Sequence, residues 1–197
     1  MANLTKNFFT KLNKMNDKDY IECLLEYYTS LITAAVKPSV TVTILKNKEN
    51  YLNAWYKYGA EFLNKYNLKS LYLKETDTGL ILFIYNEDLL KTYLSDDKHK
   101  TFLRNLGYDK ATSLDSALEL LQERFNKYHC PHELGLFLGY PLNDVVSFMN
   151  CNKDKCLLCG YWKVFNNKAS ALKTFKKYDN VRNTAIIKIL NKTAISF

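Results

Sequence analysis

The stretch from Cys130 to Phe165, CPHELGLFLGYPLNDVVSFMNCNKDKCLLCGYWKVF, constrains the fold more than any other part of the chain. It carries four of the five cysteines, two of the three prolines and three of the six glycines. Proline fixes φ and removes a backbone donor, while glycine admits conformations closed to other residues. Such a segment cannot run on as one long helix or strand. Its spacing predicts a first helical turn at Pro131 with Cys130 as N-cap, then a Gly139-Tyr140-Pro141 turn, then a second short helix to about Met149. A polar, cysteine-bearing loop from Asn150 to Leu158 should lead to a strand over Tyr161 to Phe165.

Elsewhere the pattern is an ordinary alternation of helix and strand. Ile21, Leu24, Leu25, Tyr28, Leu31, Ile32 and Ala35 form a helical stripe that begins near Asn16 or Asp17 and is stopped by Pro38. Val40 to Leu45 reads as a strand rich in β-branched residues. A helix over about Asn50 to Tyr66 follows, and then two apolar segments flank Thr76-Asp77-Thr78-Gly79. That is a hairpin signature, with Gly79 available for a positive φ. Asn86 and Ser113 suit helix N-caps, and Gly107 suits a C′ position. Two basic helices, Lys168 to Tyr178 and Val181 to Leu190, should close the chain. The sum is a single α+β domain over residues 1–197, with residues 1–15 a loose lead-in or short helix. A small mixed sheet of about four strands is covered by helices.

With 47% hydrophobic and 14% aromatic residues, a chain of 197 residues can bury a sizeable core, which excludes disorder over most of its length. The formal charge of +8 permits an anionic partner. The lysines are nevertheless dispersed, with no run of like charge. Lys168, Lys173, Lys176, Lys177, Arg182, Lys188 and Lys192 give the last helices a basic character. The short helix after Pro141 is apolar, however, and lacks the basic and amide side chains of a recognition helix. Nucleic-acid binding is therefore a disfavoured alternative. No apolar h-region follows the N-terminal lysines and no apolar run could span a bilayer, so a cytoplasmic location is expected. An odd cysteine count then argues for reduced thiols or metal ligands over a disulfide framework.

The chemistry-bearing residues converge on the same segment. Cys156-Leu-Leu-Cys159-Gly160 can present two thiolates to a tetrahedral ion such as zinc or iron, with Cys130, His132 and Cys151 the candidates for the two further ligands. Cys130 at a helix N-terminus would have a lowered pKa, and the C-x-x-C pair could close reversibly into a disulfide. Glu133 fits the third position of a capping box better than an acid–base pair with His132, because adjacent helical residues diverge by about 100°. Tyr140, Trp162 and Lys163 complete the candidate surface. No phosphate loop and no complete catalytic set is legible, so the reading leans away from an enzyme. A metal- or thiol-based binding or redox accessory ranks first. The alternative is a non-catalytic module for a small ligand or protein, which would show scattered cysteines beside an apolar pocket.

HELGLFLGYPLNDV, followed by GYWKVF and a helix, resembles an uncharacterised domain-of-unknown-function family of anaerobic Gram-positive bacteria. That family has a His-Glu-(Ile/Leu)-Gly-x-Phe-Leu-Gly-Tyr-Pro-Leu-x-Asp-Val core and a later Gly-x-Trp-Lys-Val-Tyr. Both motifs stand here, with Phe165 in place of the last Tyr. The Leu31 to Ser39 stretch around Lys37-Pro38 and the strand pair around Gly79 are similar as well. The resemblance implies no activity, cofactor or site residue. It implies a cytoplasmic protein of an anaerobe, where thiols and oxygen-sensitive metals survive.

Overall fold

The heptapeptide Gly79–Tyr85, GLILFIY, is apolar on both of its faces, so it has to sit at the centre of a sheet covered on two sides. In the computed structural model, which describes residues 2–46, 49–128, 130–150 and 155–194, it does. It is β3, flanked by β1 (Ser39–Leu45) and β2 (Lys69–Glu75) in the order β1-β3-β2. Both pairings are antiparallel, and Tyr85 faces Ser39 on one side and Lys69 on the other. The alternation along β3 then sorts the core. Leu80, Leu82 and Ile84 join Val40, Val42 and Ile44 beneath α1 (Ala2–Leu12), α2 (Asp17–Thr33) and α3 (Glu49–Lys65). Phe83 and Tyr85 face α4 (Glu87–Leu94), α5 (Asp97–Asn105), α6 (Leu114–Tyr128) and α7 (Leu134–Phe137) on the other side. Full burial of a Phe or Ile side chain contributes roughly 1.5–3 kcal/mol, so this strand anchors both layers.

A third, smaller core lies apart from the sheet. After α8 (Leu142–Met149), strands β4 (Leu158–Cys159) and β5 (Lys163–Val164) form a two-stranded antiparallel ribbon. Trp162 and Val164 pack there against Leu31 and against Ala171, Phe175 and Tyr178 of α9 (Lys168–Ala194). The class is α+β, with every strand pairing antiparallel and the strands divided between two sheets. Among the described residues, no helix is long and apolar enough to cross a membrane.

Local signals acted largely as their chemistry requires. Asn16 Oδ1 accepts from the Asp19 N–H at 3.0 Å, Asn86 Oδ1 from Leu89 at 3.0 Å, and Ser113 Oγ from Ser116 at 3.1 Å. Gly107 ends α5 in the left-handed region at φ 92°. Three expectations need correction, and the lead-in takes the helical one of its two expected forms. Gly79 has no positive φ; its value is close approach, since a Cβ there would lie 2.7 Å from the Ile44 carbonyl oxygen. Helix α2 stops before Pro38, where Ala35 turns left-handed at φ 50° and the N–H groups of Val36 and Lys37 return to the Leu31 carbonyl. The lead-in is a helix that buries Phe8 and Leu12. The two expected C-terminal helices are one, α9, because Asp179-Asn180 contains no residue that breaks a helix.

Candidate functional site

The Lys37-Pro38-Ser39 link between α2 and β1 is clamped to the turn between α7 and α8 at three successive points. The Ser39 hydroxyl donates to the Phe137 carbonyl at 2.7 Å, in a fully buried position. Gly139 adopts φ 74° beside Pro38, where a Cβ would lie 2.6 Å from Cδ of the proline ring. The Lys37 ammonium sits 4.8 Å from the centre of the Tyr140 ring. Glycine is thus required at 139 by both backbone conformation and space. Gly135 serves helix packing, with Val145 and Tyr140 within 3.2 Å of where its Cβ would be.

This clamp fixes Tyr140, which stacks on Trp162 at 5.4 Å, and the two rings wall a pocket of about 220 Å³ between α7, α8 and the ribbon. The lining is almost wholly apolar, with Leu138, Val145 and Phe148 among its side chains. His132 meets the Phe148 ring edge to face at 4.9 Å, and the Lys163 ammonium lies 5.4 Å from the same ring. Trp162 is buried and Lys163 exposed, so one supplies an apolar wall and the other a charge at the mouth.

Two buried acids hold this pocket in shape. Asp144, 4% exposed, accepts from the Trp162 indole N–H at 2.8 Å, from the backbone N–H of Phe165 and Asn166 at 2.9 and 3.0 Å, and from the Asn166 amide at 2.9 Å. Burial pushes its pKa up, but these donors outweigh that and hold the carboxyl below its ordinary value. Glu133, 1% exposed, turns away from the pocket. It pairs with the guanidinium of Arg124 on α6 and accepts from the Tyr108 hydroxyl at 3.3 Å. Burial, and next the Glu133 carboxylate, raise the Tyr108 pKa.

The sequence-predicted residues therefore separate. Cys130, His132, Tyr140, Trp162 and Lys163 share the pocket, and Glu133 stands behind it as a strut. The predicted cap at Cys130 does not form. Helix α7 is a single turn beginning after Glu133, and Glu133 makes no capping bond because its carboxylate is drawn to Arg124. Partial burial, and next the charge of Glu133, raise the Cys130 thiol pKa, the reverse of the expected lowering. Cys156 and Cys159 approach to 3.5 Å between sulfurs on the ribbon, and hydrogen bonding to Cys156 raises the Cys159 pKa. Among the described residues, no group of three or more His, Cys, Asp or Glu side chains is placed to hold a metal ion. Cys151 and His129 lie outside the described residues.

Sequence reasoning missed Lys37, which is 7% exposed and has no acidic partner among the described residues. Burial, and next the charge of Arg182, lower its pKa to about 7. The available signal was a lysine set directly before a helix-stopping proline in a stretch that shares the family resemblance. Asp144 and Arg124 were missed as well, since each stands on an ordinary helical pattern.

No curated protein and no solved structure matches this chain. One family model does, described as protein of unknown function (DUF3793), and it matches residues 25–196. That span takes in the clamp, the pocket, both buried acids and the ribbon, and the chain belongs to this family of proteins of unknown function.

Proposed function

We propose that the protein binds a small ligand with a flat apolar body and an anionic end, in the pocket between α7, α8 and the ribbon. The carrying observation is the pocket itself: an apolar cavity, walled by the stacked Tyr140 and Trp162, with one exposed cation at its mouth. Concave apolar sites with few placed polar groups are the usual form of small-molecule sites. The rings of Trp162 and Phe148 offer faces for stacking, and the Lys163 ammonium offers charge pairing at the open end. Asp144 and Glu133 are engaged in holding the walls, so the reading is of binding without catalysis. A fluorescent aromatic sulfonate such as anilinonaphthalene sulfonate tests it. Saturable binding is expected, abolished by Val145→Phe, which fills the cavity, and weakened about tenfold by Lys163→Gln. Binding unaffected by Val145→Phe would sink the reading.

A second reading rests on the Cys156–Cys159 approach. Two thiols 3.5 Å apart need only a small displacement to close into a disulfide. In exchange with a low-molecular-weight disulfide, the pair would lose two electrons and two protons, and the oxidant would leave as two thiols. The same pair supplies two of the four ligands of a zinc or iron site, the others coming from outside the arrangement described. Thiol counting and metal analysis of anaerobically purified protein, beside Cys156→Ser/Cys159→Ser, separate these. Two titratable thiols lost on mild oxidation support redox closure, and stoichiometric metal lost in the variant supports a metal site. Five thiols titrating in denaturant after oxidation, with no metal, remove both.

A further inference from the structure

The reverse side of the ribbon faces a second, polar cleft of about 440 Å³ whose wall includes Arg182 of α9. The Arg182 guanidinium is held between two aromatic rings, 5.1 Å from the centre of Tyr27 and 5.0 Å from that of Tyr161. A guanidinium covered on its faces interacts through its edges, where its N–H groups point. None of those groups finds a protein acceptor among the described residues, and Nε is the one buried side-chain nitrogen or oxygen there with no hydrogen-bond partner. Buried polar groups are normally satisfied, so the orphan Nε is costly, and the same guanidinium lines an open polar cleft with no acceptor supplied to it by the described residues.

The charge balance points the same way. Lys37 is buried, and the charge of Arg182 further disfavours its ammonium; neither cation forms an ion pair among the described residues. The carboxylate on the cleft wall, Asp179, accepts from the Tyr161 hydroxyl at 2.9 Å and makes no ion pair with Arg182. Thr5 and Asn183 line the cleft and bring neutral donors. Gly160 lies on the same wall, with Phe175 filling the space where its Cβ would go.

We propose that this cleft is a binding site for a carboxylate group, received edge-on by the Arg182 guanidinium with Thr5 and Asn183 as flanking donors. A planar, singly charged group matches the guanidinium edge. The standing charge of Asp179 disfavours the higher charge of a phosphate dianion. The site is separate from the apolar pocket, so either can fail without the other.

The test uses the arginine Nε–H resonances of the full-length protein, of which there are three, from Arg104, Arg124 and Arg182. Loss of one signal in Arg182→Lys assigns it. Titration with sodium acetate at constant ionic strength should move the Arg182 signal saturably in the millimolar range and leave the Arg104 and Arg124 signals in place. Asn183→Ala should weaken the response several-fold. Inorganic phosphate should act more weakly than acetate, and chloride not at all. An equal response to chloride would reduce the effect to screening, and a stronger one to phosphate would overturn the carboxylate assignment. An unchanged Arg182 signal at high acetate would overturn the site.

Discussion

The two sides of the β4–β5 ribbon treat buried charge in opposite ways. On the side of Trp162, Asp144 is buried and accepts four hydrogen bonds at 2.8–3.0 Å. On the side of Tyr161, Arg182 lies by two rings, and its Nε has no hydrogen-bond partner among the described residues. A fully satisfied buried charge fixes geometry, while an unsatisfied one costs stability and is retained where something else requires it. The Asp144 side is therefore a strut, and the Arg182 side is a site.

That contrast can be broken by experiment. Asp144→Ala should destabilise the protein by roughly 3–5 kcal/mol in denaturant unfolding, because it strands the Trp162 indole and two backbone N–H groups. A loss below about 1 kcal/mol would remove Asp144 as a strut. Lys37→Met should act in the opposite direction. The folded-state pKa of Lys37 is about 7, below the ordinary value of 10.5, so the unfolded chain binds the extra proton between those pH values. Stability should therefore rise with pH across that window, until raised tyrosines such as Tyr93 begin to reverse the slope. Lys37→Met should flatten the rise and stabilise the protein by on the order of 3 kcal/mol at pH 6, with a smaller gain at pH 10. Parallel pH profiles in the two proteins would mean the lysine finds compensation.

Gly139→Ala tests the clamp beneath both sides. A left-handed φ and a contact with Pro38 should together cost about 1–3 kcal/mol and lower aromatic-probe binding, since Tyr140 follows Gly139. Unaltered melting would show that the turn can shift. The smallest change is expected for Arg182→Gln. Its two ring contacts are lost while an orphan donor and a repulsion on Lys37 are relieved, so stability should move by no more than about 1 kcal/mol, beside the large loss at Asp144. A loss as large as that at Asp144 would make Arg182 a strut too.

The sequence foretold the elements better than it foretold the partners. Asn16, Asn86, Ser113 and Gly107 act within three or four residues of themselves, and each was legible. So was β3, because seven apolar residues in a row admit few positions in a sheet. Glu133 was misread because its local option, a capping bond, competes with Arg124, nine residues back on another helix. Nothing in the intervening sequence announces that Arg124 will be there. Lys37 was overlooked for a related reason: its burial is created by Tyr140 and Gly139, about a hundred residues away. Of the pocket lining, Cys130, His132, Tyr140, Trp162 and Lys163 were named from sequence, while the apolar lining of α7 and α8 was not. The alternative reading expected an apolar pocket beside scattered cysteines, but the hydrogen bonds that occupy Asp144 and Glu133 are made to residues distant in sequence and were not legible.

Tyr161 and Trp162 are neighbours in sequence, and each lines a different cavity. Both stand in the bend between β4 and β5, where one side chain lines the polar cleft and the other the apolar pocket. One residue inserted between Gly160 and Trp162, or removed there, would shift the indole out of register with Asp144 and cost that carboxylate one of its hydrogen bonds. The number of residues between the glycine that receives Phe175 and the strand that carries Lys163 is thus set by two cavities at once.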